Sequence, residues 1–219
     1  MIYDKQINWN SHKAMAFITE PRVTKMLSFV PKDSLVADLG CYTGDIANEI
    51  SRKNNRVFGA DCNQCFVDMT NKLGHHSILS NFEEHIGFKN EVFDCLVAGE
   101  LIEHIYHTEI FLKECNRILK YGGSIIISTP NLAYVGHRIK AVFGVAPPIM
   151  GYESGEETEL NPGHVRYFTL QTLTELLQKY GFNVEKVTGS DILGNKKLGN
   201  MFPTLSYHLI LRATKVKNI

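Results

Sequence analysis

The sequence predicts an α/β protein built on a mostly parallel sheet with helices on both faces. Short apolar runs rich in β-branched residues alternate along the chain with helical patterns, as in repeated strand–helix–strand units. Several of these runs are apolar at consecutive positions, which indicates strands that are covered on both sides. The 219 residues also suffice for one large core that needs no disulfide or metal.

Each predicted element rests on a local signal. Helix 108–119 has apolar residues at helical spacing and is followed by the breaker Tyr121-Gly122-Gly123, while Gly181 is placed to end helix 170–180. Apolar runs predict strands at 35–39, 56–61, 77–79, 93–98, 124–128, 182–187 and 206–214. Helices are predicted at 10–27, 45–50, 64–73, 108–119 and 170–180.

We expect one domain over residues 1–219, with a helical segment at 1–30 and an insertion at 131–168. The strand–helix rhythm stops after Pro130, and the insertion is rich in proline, glycine and acidic residues. Apolar residues recur in it at helical spacing, which favours a lid helix over an apolar substrate. A helix that lies on a membrane surface is the alternative. The apolar positions are Leu132, Val135, Ile139, Val142 and Phe143.

Composition excludes several classes of function. Lysine and arginine total 23 and aspartate and glutamate total 23, so a generally basic nucleic-acid binder is disfavoured. The acidic run Glu153, Glu156, Glu157 and Glu159 would also repel a phosphate backbone. Five cysteines, the lack of a signal-peptide pattern and the lack of a long apolar stretch predict a reduced cytoplasmic protein without a transmembrane segment.

A glycine loop between the first predicted strand and its helix is the most informative segment. Asp38 is followed by Gly40 and Gly44, so a ligand can approach backbone N–H groups at a helix N-terminus. Asp61 ends the next strand, where a carboxylate can accept both hydroxyls of a ribose. The spacing does not match the dinucleotide pattern, and Asp38 suits an ammonium group better than a pyrophosphate. These residues predict a cationic ligand with a ribose and an amine.

The chain resembles class I S-adenosylmethionine-dependent methyltransferases. The resemblance rests on the glycine loop, Asp61 and the segments 93–104 and 117–123, which occur in the family's order between about residues 30 and 190. It implies a Rossmann-like, doubly wound, seven-stranded sheet whose last strand is antiparallel. It also implies an enzyme that transfers a methyl group from S-adenosylmethionine.

The same resemblance implies a set of cofactor-binding residues. Asp38, Gly40 and Gly44 would hold the methionine part and Asp61 the ribose, while Asn81 would contact the adenine. A glycine is usual where this chain has Tyr42, so the pocket is expected to be narrower. The full expected set is Asp38, Gly40, Tyr42, Gly44, Asp61, Cys62, Asn81, Phe82 and Gly99.

A second motif, Glu-x-x-Glu-His, follows the fourth predicted strand. Glu100, Glu103 and His104 are spaced to converge in a helical turn, and His164 lies downstream. These four residues suit Mg²⁺ or Mn²⁺. The alternative is that the motif only orders the loop. Without a metal, His104 or His164 would act as the general base, and Glu100 completes the expected catalytic set.

The resemblance leaves the acceptor open. The motif is similar to that of quinone-biosynthesis O-methyltransferases, which favours a small-molecule oxygen or nitrogen acceptor. It is also similar to that of small-RNA 3′-terminal ribose 2′-O-methyltransferases, although the neutral charge disfavours RNA. The segment beginning at Ser128 resembles methyltransferase-fold proteins associated with methionine biosynthesis, which raises a partner-binding module without turnover. The sequence does not indicate an oligomeric state.

Overall fold

The computed structural model describes residues 17–146 and 163–219, which contain a single seven-stranded sheet. The strand order is β3-β2-β1-β4-β5-β7-β6, and β7 runs antiparallel to both of its neighbours while the other pairs are parallel. This confirms the predicted fold class. The strands are β1 Leu35–Leu39, β2 Arg56–Asp61, β3 His76–Leu79, β4 Phe93–Gly99, β5 Leu119–Pro130, β6 Phe182–Gly189 and β7 His208–Lys215.

Helices cover both faces of this sheet. The described helices are α1 Pro21–Phe29, α2 Asp45–Ser51, α3 Gln64–Lys72, α4 Thr108–Ile118, α5 Val135–Val142, α6 Leu170–Lys179 and α7 Lys196–Met201, with 3₁₀ turns at Ile102–His104 and Pro203–Leu205. Helix α7 was not predicted, because it is short and contains two lysines and a glycine instead of an apolar stripe. The predicted helix at 10–27 lies partly outside the described residues.

Two apolar cores lie on opposite sides of the sheet. On one side α1 and α2 pack on Val36 and Ile126, and on the other α4 and α6 pack on Ile125 and Ile127. The alternation along β5 follows from strand geometry, because successive side chains point to opposite faces. Each fully buried isoleucine contributes about 1.5–3 kcal/mol to the free energy of folding.

Strand β5 is longer than predicted. Helix α4 ends at Ile118 and β5 begins at the next residue, whereas a break at 121–123 was expected. Leu119 pairs with Phe93 and Ser124 pairs with Cys95, so four residues stand opposite one on β4. Gly122, with φ 76°, allows this excursion inside the strand.

The ends of the predicted insertion meet at the carboxyl end of β5. Asn131 forms an isolated parallel bridge with Phe168, and Leu132 N donates to Phe168 O at 2.9 Å. Helix α5 lies within the insertion, but Ile139, Val142 and Phe143 are exposed by 52%, 81% and 78%. In the described part of the insertion these apolar side chains therefore face solvent. The acidic run at 153–159 lies outside the described residues.

A buried lysine ties the last strand to α4 at the opposite edge of the sheet. Lys215 Nζ donates to Asn116 O at 2.7 Å and to Leu119 O at 2.8 Å, and it lies 3.5 Å from Glu91 Oε1. Only 1% of the residue is exposed. The buried ammonium group therefore has two main-chain carbonyls as acceptors in place of water.

We expect Lys215→Met to lower the free energy of unfolding by about 2–4 kcal/mol, because two buried carbonyls lose their donor. Urea denaturation followed by circular dichroism measures this change. The matched control is Lys217→Met, whose side chain is exposed and should change stability by less than about 0.5 kcal/mol. Equal effects of the two substitutions would contradict a role for the buried ammonium.

Candidate functional site

The glycine loop connects β1 to α2 at the carboxyl edge of the sheet. Gly40 and Gly44 have φ 74° and 82°, and Tyr42 between them has φ 46°. The loop thus keeps a left-handed backbone at all three positions although one carries a side chain. At Gly44 a Cβ would lie 2.8 Å from Leu73 Cδ1 and 3.2 Å from the backbone atom Thr70 Cα of α3, so close packing on this helix also favours glycine there.

Asp38 is buried at the end of β1, directly before this loop. Its Oδ2 atom has no hydrogen-bond partner among the described residues. Burial, with the Asp61 carboxylate as the second cause, raises the pKa of Asp38 to about 8. A buried carboxyl oxygen without a donor favours the approach of a cationic or hydrogen-bond-donating group.

Asp61 lies at the end of β2 and faces the same loop. Its Oδ2 accepts from Tyr42 N at 3.0 Å and its Oδ1 accepts from Asn63 N at 2.9 Å. Burial raises the pKa of Asp61, and these backbone donors partly offset the rise. Cys62 is exposed beside it, and its thiol also contacts the carboxylate. The carboxylate is thus held in a fixed orientation next to Tyr42.

The residues after β3 divide between the surface and the core. Asn81 is exposed, and its Oδ1 accepts from Glu83 N at 3.0 Å. Phe82 packs edge-to-face on Phe111 in the core, with ring centroids 6.1 Å apart. Ser80, which the sequence reasoning missed, is buried and its Oγ has no partner among the described residues. An unpaired buried hydroxyl after β3 is a polar contact available to a ligand.

Gly99, at the end of β4, is explained by packing against α1. A Cβ at this position would lie 3.1 Å from Met26 Sδ. Close packing on the Met26 side chain of α1 is therefore a structural reason for glycine at this position, in addition to its predicted role at the cofactor site.

Glu100 sits in a polar cluster on the α1 side of the sheet. Its Oε1 accepts from Ser128 Oγ at 3.0 Å and lies 3.9 Å from Arg22 Nε. Its Oε2 lies 3.5 Å from His208 Nε2. Glu100 has φ 52°, a left-handed conformation that is costly for a residue with a side chain. None of these three partners was predicted from the sequence.

Glu103 is buried on the opposite side, where Thr129 Oγ1 donates to its Oε2 at 3.1 Å. Its Oε1 has no hydrogen-bond partner among the described residues. Burial, followed by the nearby Glu100 carboxylate, raises the pKa of Glu103 well above its usual range. The Arg22 charge and the hydrogen bond from Thr129 act in the opposite direction but do not offset this rise in the pKa.

Two histidines lie next to Glu103. The rings of His104 and His164 meet edge-to-face with centroids 4.8 Å apart. Val165 N and Arg166 N donate to Glu103 O at 2.9 and 3.0 Å, which holds the segment carrying His164 against the motif. One ligand atom from each of Glu103, His104 and His164 lies within 4.8 Å of the other two.

The structure thus brings together three of the four predicted metal ligands. Glu100 lies outside this group, because Ser128 and Thr129 are consecutive on β5 and point to opposite sides of the sheet. The expected convergence assumed a helical turn, but the left-handed backbone at Glu100 interrupts it. Successive side chains of β5 point to alternate sides of the sheet, and this alternation is the sequence signal that indicates the separation of Glu100 from Glu103.

Aromatic rings line the base of the insertion. The ring of Tyr134 lies 5.1 Å from that of His137 and 5.2 Å from that of Tyr207, in both cases nearly perpendicular. His137 is buried, and Tyr207 precedes His208. This cluster therefore places an apolar wall near the Glu100 partners.

In residues 17–146 and 163–219, no helix is both long and apolar enough to cross a membrane.

We expect the stability of the wild-type protein to fall relative to Asp38→Asn as the pH rises from 5 to 9. The folded state holds a proton on Asp38 that the unfolded chain releases above about pH 4, and this stabilisation is lost up to about pH 8. The difference should exceed about 2 kcal/mol, because one pKa unit corresponds to about 1.4 kcal/mol. Urea denaturation at pH 5, 7 and 9 measures it.

Asp94→Asn is the control for this pH dependence. Partial burial acts to raise the pKa of Asp94, but hydrogen bonds from Lys120 and Leu35 N outweigh it and leave the pKa lowered. Its contribution to stability is therefore complete above about pH 4 and should not vary between pH 5 and 9. Parallel pH profiles for wild type and Asp38→Asn would show that Asp38 is not protonated in the folded state.

Comparisons with known proteins agree with the fold. The family described as "Methyltransferase domain" matches residues 13–187. The mitochondrial ubiquinone biosynthesis O-methyltransferase of Homo sapiens is 27% identical over 164 residues, which cover 70% of this chain and 42% of that protein. A Mycolicibacterium smegmatis protein named "Probable S-adenosylmethionine-dependent methyltransferase" is 30% identical over 155 residues, which cover 70% of this chain and 54% of that protein.

The chain spans about half the length of these curated relatives. The crystal structure of an S-adenosylmethionine-dependent methyltransferase from Mesorhizobium loti has the same fold, with a TM-score of 0.66 at 14% identity, over 90% of this chain and 98% of that one. The family match covers most of the chain, including the glycine loop, Asp61 and the Glu-x-x-Glu-His motif. The chain therefore belongs to the methyltransferase domain family.

Proposed function

We propose that this enzyme methylates a hydroxyl oxygen of a small hydroxylated aromatic molecule. The observation that carries the proposal is the group formed by Glu103, His104 and His164 at the carboxyl edge of the sheet. Ligands of open α/β sheets bind at this edge. A carboxyl and two imidazoles are suited to bind and deprotonate a hydroxyl, whereas an amine acceptor would need no such group once it is neutral.

The residues of the loop fit the cofactor. Bound S-adenosylmethionine supplies a methyl group on a positively charged sulfur. The unpaired Oδ2 of Asp38 is placed to accept from an ammonium group, and the Asp61 carboxylate retains acceptor capacity for ribose hydroxyls. At Gly40 a Cβ would have the Leu101 side chain as its nearest neighbour, at 3.4 Å, so the position is not tightly packed. Catalysis would then depend mainly on proximity and orientation.

The group formed by Glu103, His104 and His164 also fits a divalent ion. Glu103 offers a buried oxygen without a partner, and the two imidazoles add borderline nitrogen ligands. A carboxylate suits Mg²⁺ and Mn²⁺, and the imidazoles favour Mn²⁺ of the two. Such an ion would lower the pKa of a bound hydroxyl. Its positive charge would also offset the cost of burying the ionised Glu103.

The histidines provide a route that needs no ion. A neutral imidazole at His104 or His164 can accept the hydroxyl proton near neutral pH. The nearby Glu103 carboxyl would then stabilise the imidazolium that forms. In this route activity rises with pH as the imidazole loses its proton.

The preference for a small aromatic acceptor rests on two further features. A curated relative is named as a ubiquinone biosynthesis O-methyltransferase, and the rings of Tyr134, His137 and Tyr207 lie at the same edge of the sheet. The formal charge of zero gives no general attraction to RNA.

The direct test incubates the full chain with S-adenosylmethionine and 3,4-dihydroxybenzoate, with Mg²⁺, Mn²⁺ or EDTA, and detects the methyl ether by mass spectrometry. Methylation of the catechol supports the proposal, and its loss in EDTA supports the metal route. Methylation only of a short RNA with a free 3′-terminal ribose would overturn the small-molecule acceptor. Cofactor binding without turnover of either acceptor, together with capture of a protein partner, would favour a binding module.

We expect Glu103→Gln to lower kcat/KM for the catechol by about 100-fold or more and to abolish the response to Mg²⁺ or Mn²⁺. Glutamine keeps an oxygen for Thr129 Oγ1, so folding and cofactor affinity should persist. Steady-state kinetics and calorimetry with S-adenosylhomocysteine measure the two effects.

The matched control is Glu109→Gln, a carboxyl-to-amide change in the first turn of α4 at an exposed position. Kinetics equal to the wild type are expected for it. If Glu103→Gln retained full turnover and the full metal response, the group at Glu103 would not be the acceptor site.

A further inference from the structure

Tyr42 has a left-handed backbone conformation that is typical of glycine and costs free energy for a residue with a side chain. Its φ of 46° lies in the left-handed region, where a Cβ crowds the following carbonyl. Such strain persists when surrounding contacts hold it in place. Here Tyr42 N donates to Asp61 Oδ2 at 3.0 Å, and Thr70 Oγ1 donates to Tyr42 O at 3.1 Å. The backbone of residue 42 is therefore fixed from β2 and from α3.

The side chain of Tyr42 spans from the loop to α3. Its ring packs on Phe66 with centroids 4.2 Å apart and planes at 53°. Burial, followed by the charges of Asp45 and Asp61, raises the pKa of the hydroxyl, so the ring stays neutral at physiological pH. Because Asp61 holds the backbone of the same residue, the ring pair lies beside the carboxylate assigned to the ribose.

We propose that Tyr42 and Phe66 form an aromatic gate that limits the rates at which the cofactor enters and its product leaves. The proposal rests on the cofactor placement given under the proposed function. Because the backbone is pinned, the gate opens by rotation of the Tyr42 side chain away from Phe66. Aromatic pairs of this type shift an equilibrium by about two- to tenfold, so removal of the Phe66 ring should change the fraction of time that the gate is open by this factor.

The test measures binding kinetics without any acceptor. The full chain is immobilised, and S-adenosylhomocysteine and S-adenosylmethionine are passed over it in surface plasmon resonance. We expect Phe66→Ala to raise both the association and the dissociation rate by about two- to tenfold, while Kd changes by less than about twofold. Tyr42→Gly should also raise both rates. Phe66→Ala leaves the strained loop intact, so it tests the gate even if Tyr42→Gly does not fold.

Two further variants separate the ring from the backbone. Tyr42→Phe retains the ring and should retain slow exchange. Leu193→Gly relieves a left-handed backbone, φ 48°, at an exposed site between β6 and α7, so it controls for relief of strain and should leave the rates unchanged.

Unchanged rates in both Tyr42→Gly and Phe66→Ala would overturn the gate. A rise in the dissociation rate alone, with a weaker Kd, would also overturn it, because the ring would then contact the bound cofactor instead of blocking its path. Absence of binding to the wild type would overturn the cofactor placement and the gate together. Failure to methylate an acceptor would contradict only the proposed function, since these measurements use none.

Discussion

The arrangement of the site depends on the alternation of side chains at the end of β5. Ser128 continues the face of Ile126 and Thr129 continues the face of Ile127, so one hydroxyl emerges on each side of the sheet. Each hydroxyl holds one of the two glutamates of the motif. Two acids that are neighbours in sequence are therefore assigned to different environments, one half-buried among Arg22 and His208 and one fully buried beside two histidines.

Buried carboxyl groups dominate the chemistry of the carboxyl edge. Asp38 and Glu103 each have an oxygen without a partner, and burial raises the pKa of both. Folding tolerates them because each can be neutral in the empty protein. A positively charged group that binds at either position would favour the ionised carboxylate, because opposite charges attract strongly in the low-dielectric interior. The burial of these groups thus costs the protein some stability at neutral pH, and carboxyl groups with shifted pKa values are common at functional sites.

The sequence was sufficient to predict the strands of the sheet and the positions of the glycine loop and the Glu-x-x-Glu-His motif. It was not sufficient to predict contacts that depend on the order of the strands. Apolar runs located β1, β2 and β4 to within a residue, because buried parallel strands are continuous in hydrophobicity. His208 could not be paired with Glu100, because the pairing requires β7 to insert between β5 and β6. The i, i+3 spacing of Glu100 and Glu103 suggested one helical turn, and only the backbone at Glu100 shows otherwise. Similarly, Tyr42 was expected to narrow the pocket, whereas its contact with Phe66 depends on how α3 packs.

The reversed direction of β7 has a consequence for how the strand finds its register. Its apolar residues face both sides of the sheet, with Leu209 and Leu211 on one side and Ile210 on the other. A slip by one residue would exchange leucine for isoleucine at positions 209–211, where hydrophobicity alone specifies the alignment weakly, and it would move Arg212 from the side of Ile126 to the other face. The polar ends supply the missing information. His208 must reach Glu100 at one edge while Lys215 reaches two carbonyls at the other, and no slipped alignment satisfies both. The polar contacts at its two ends thus fix the register of the last strand.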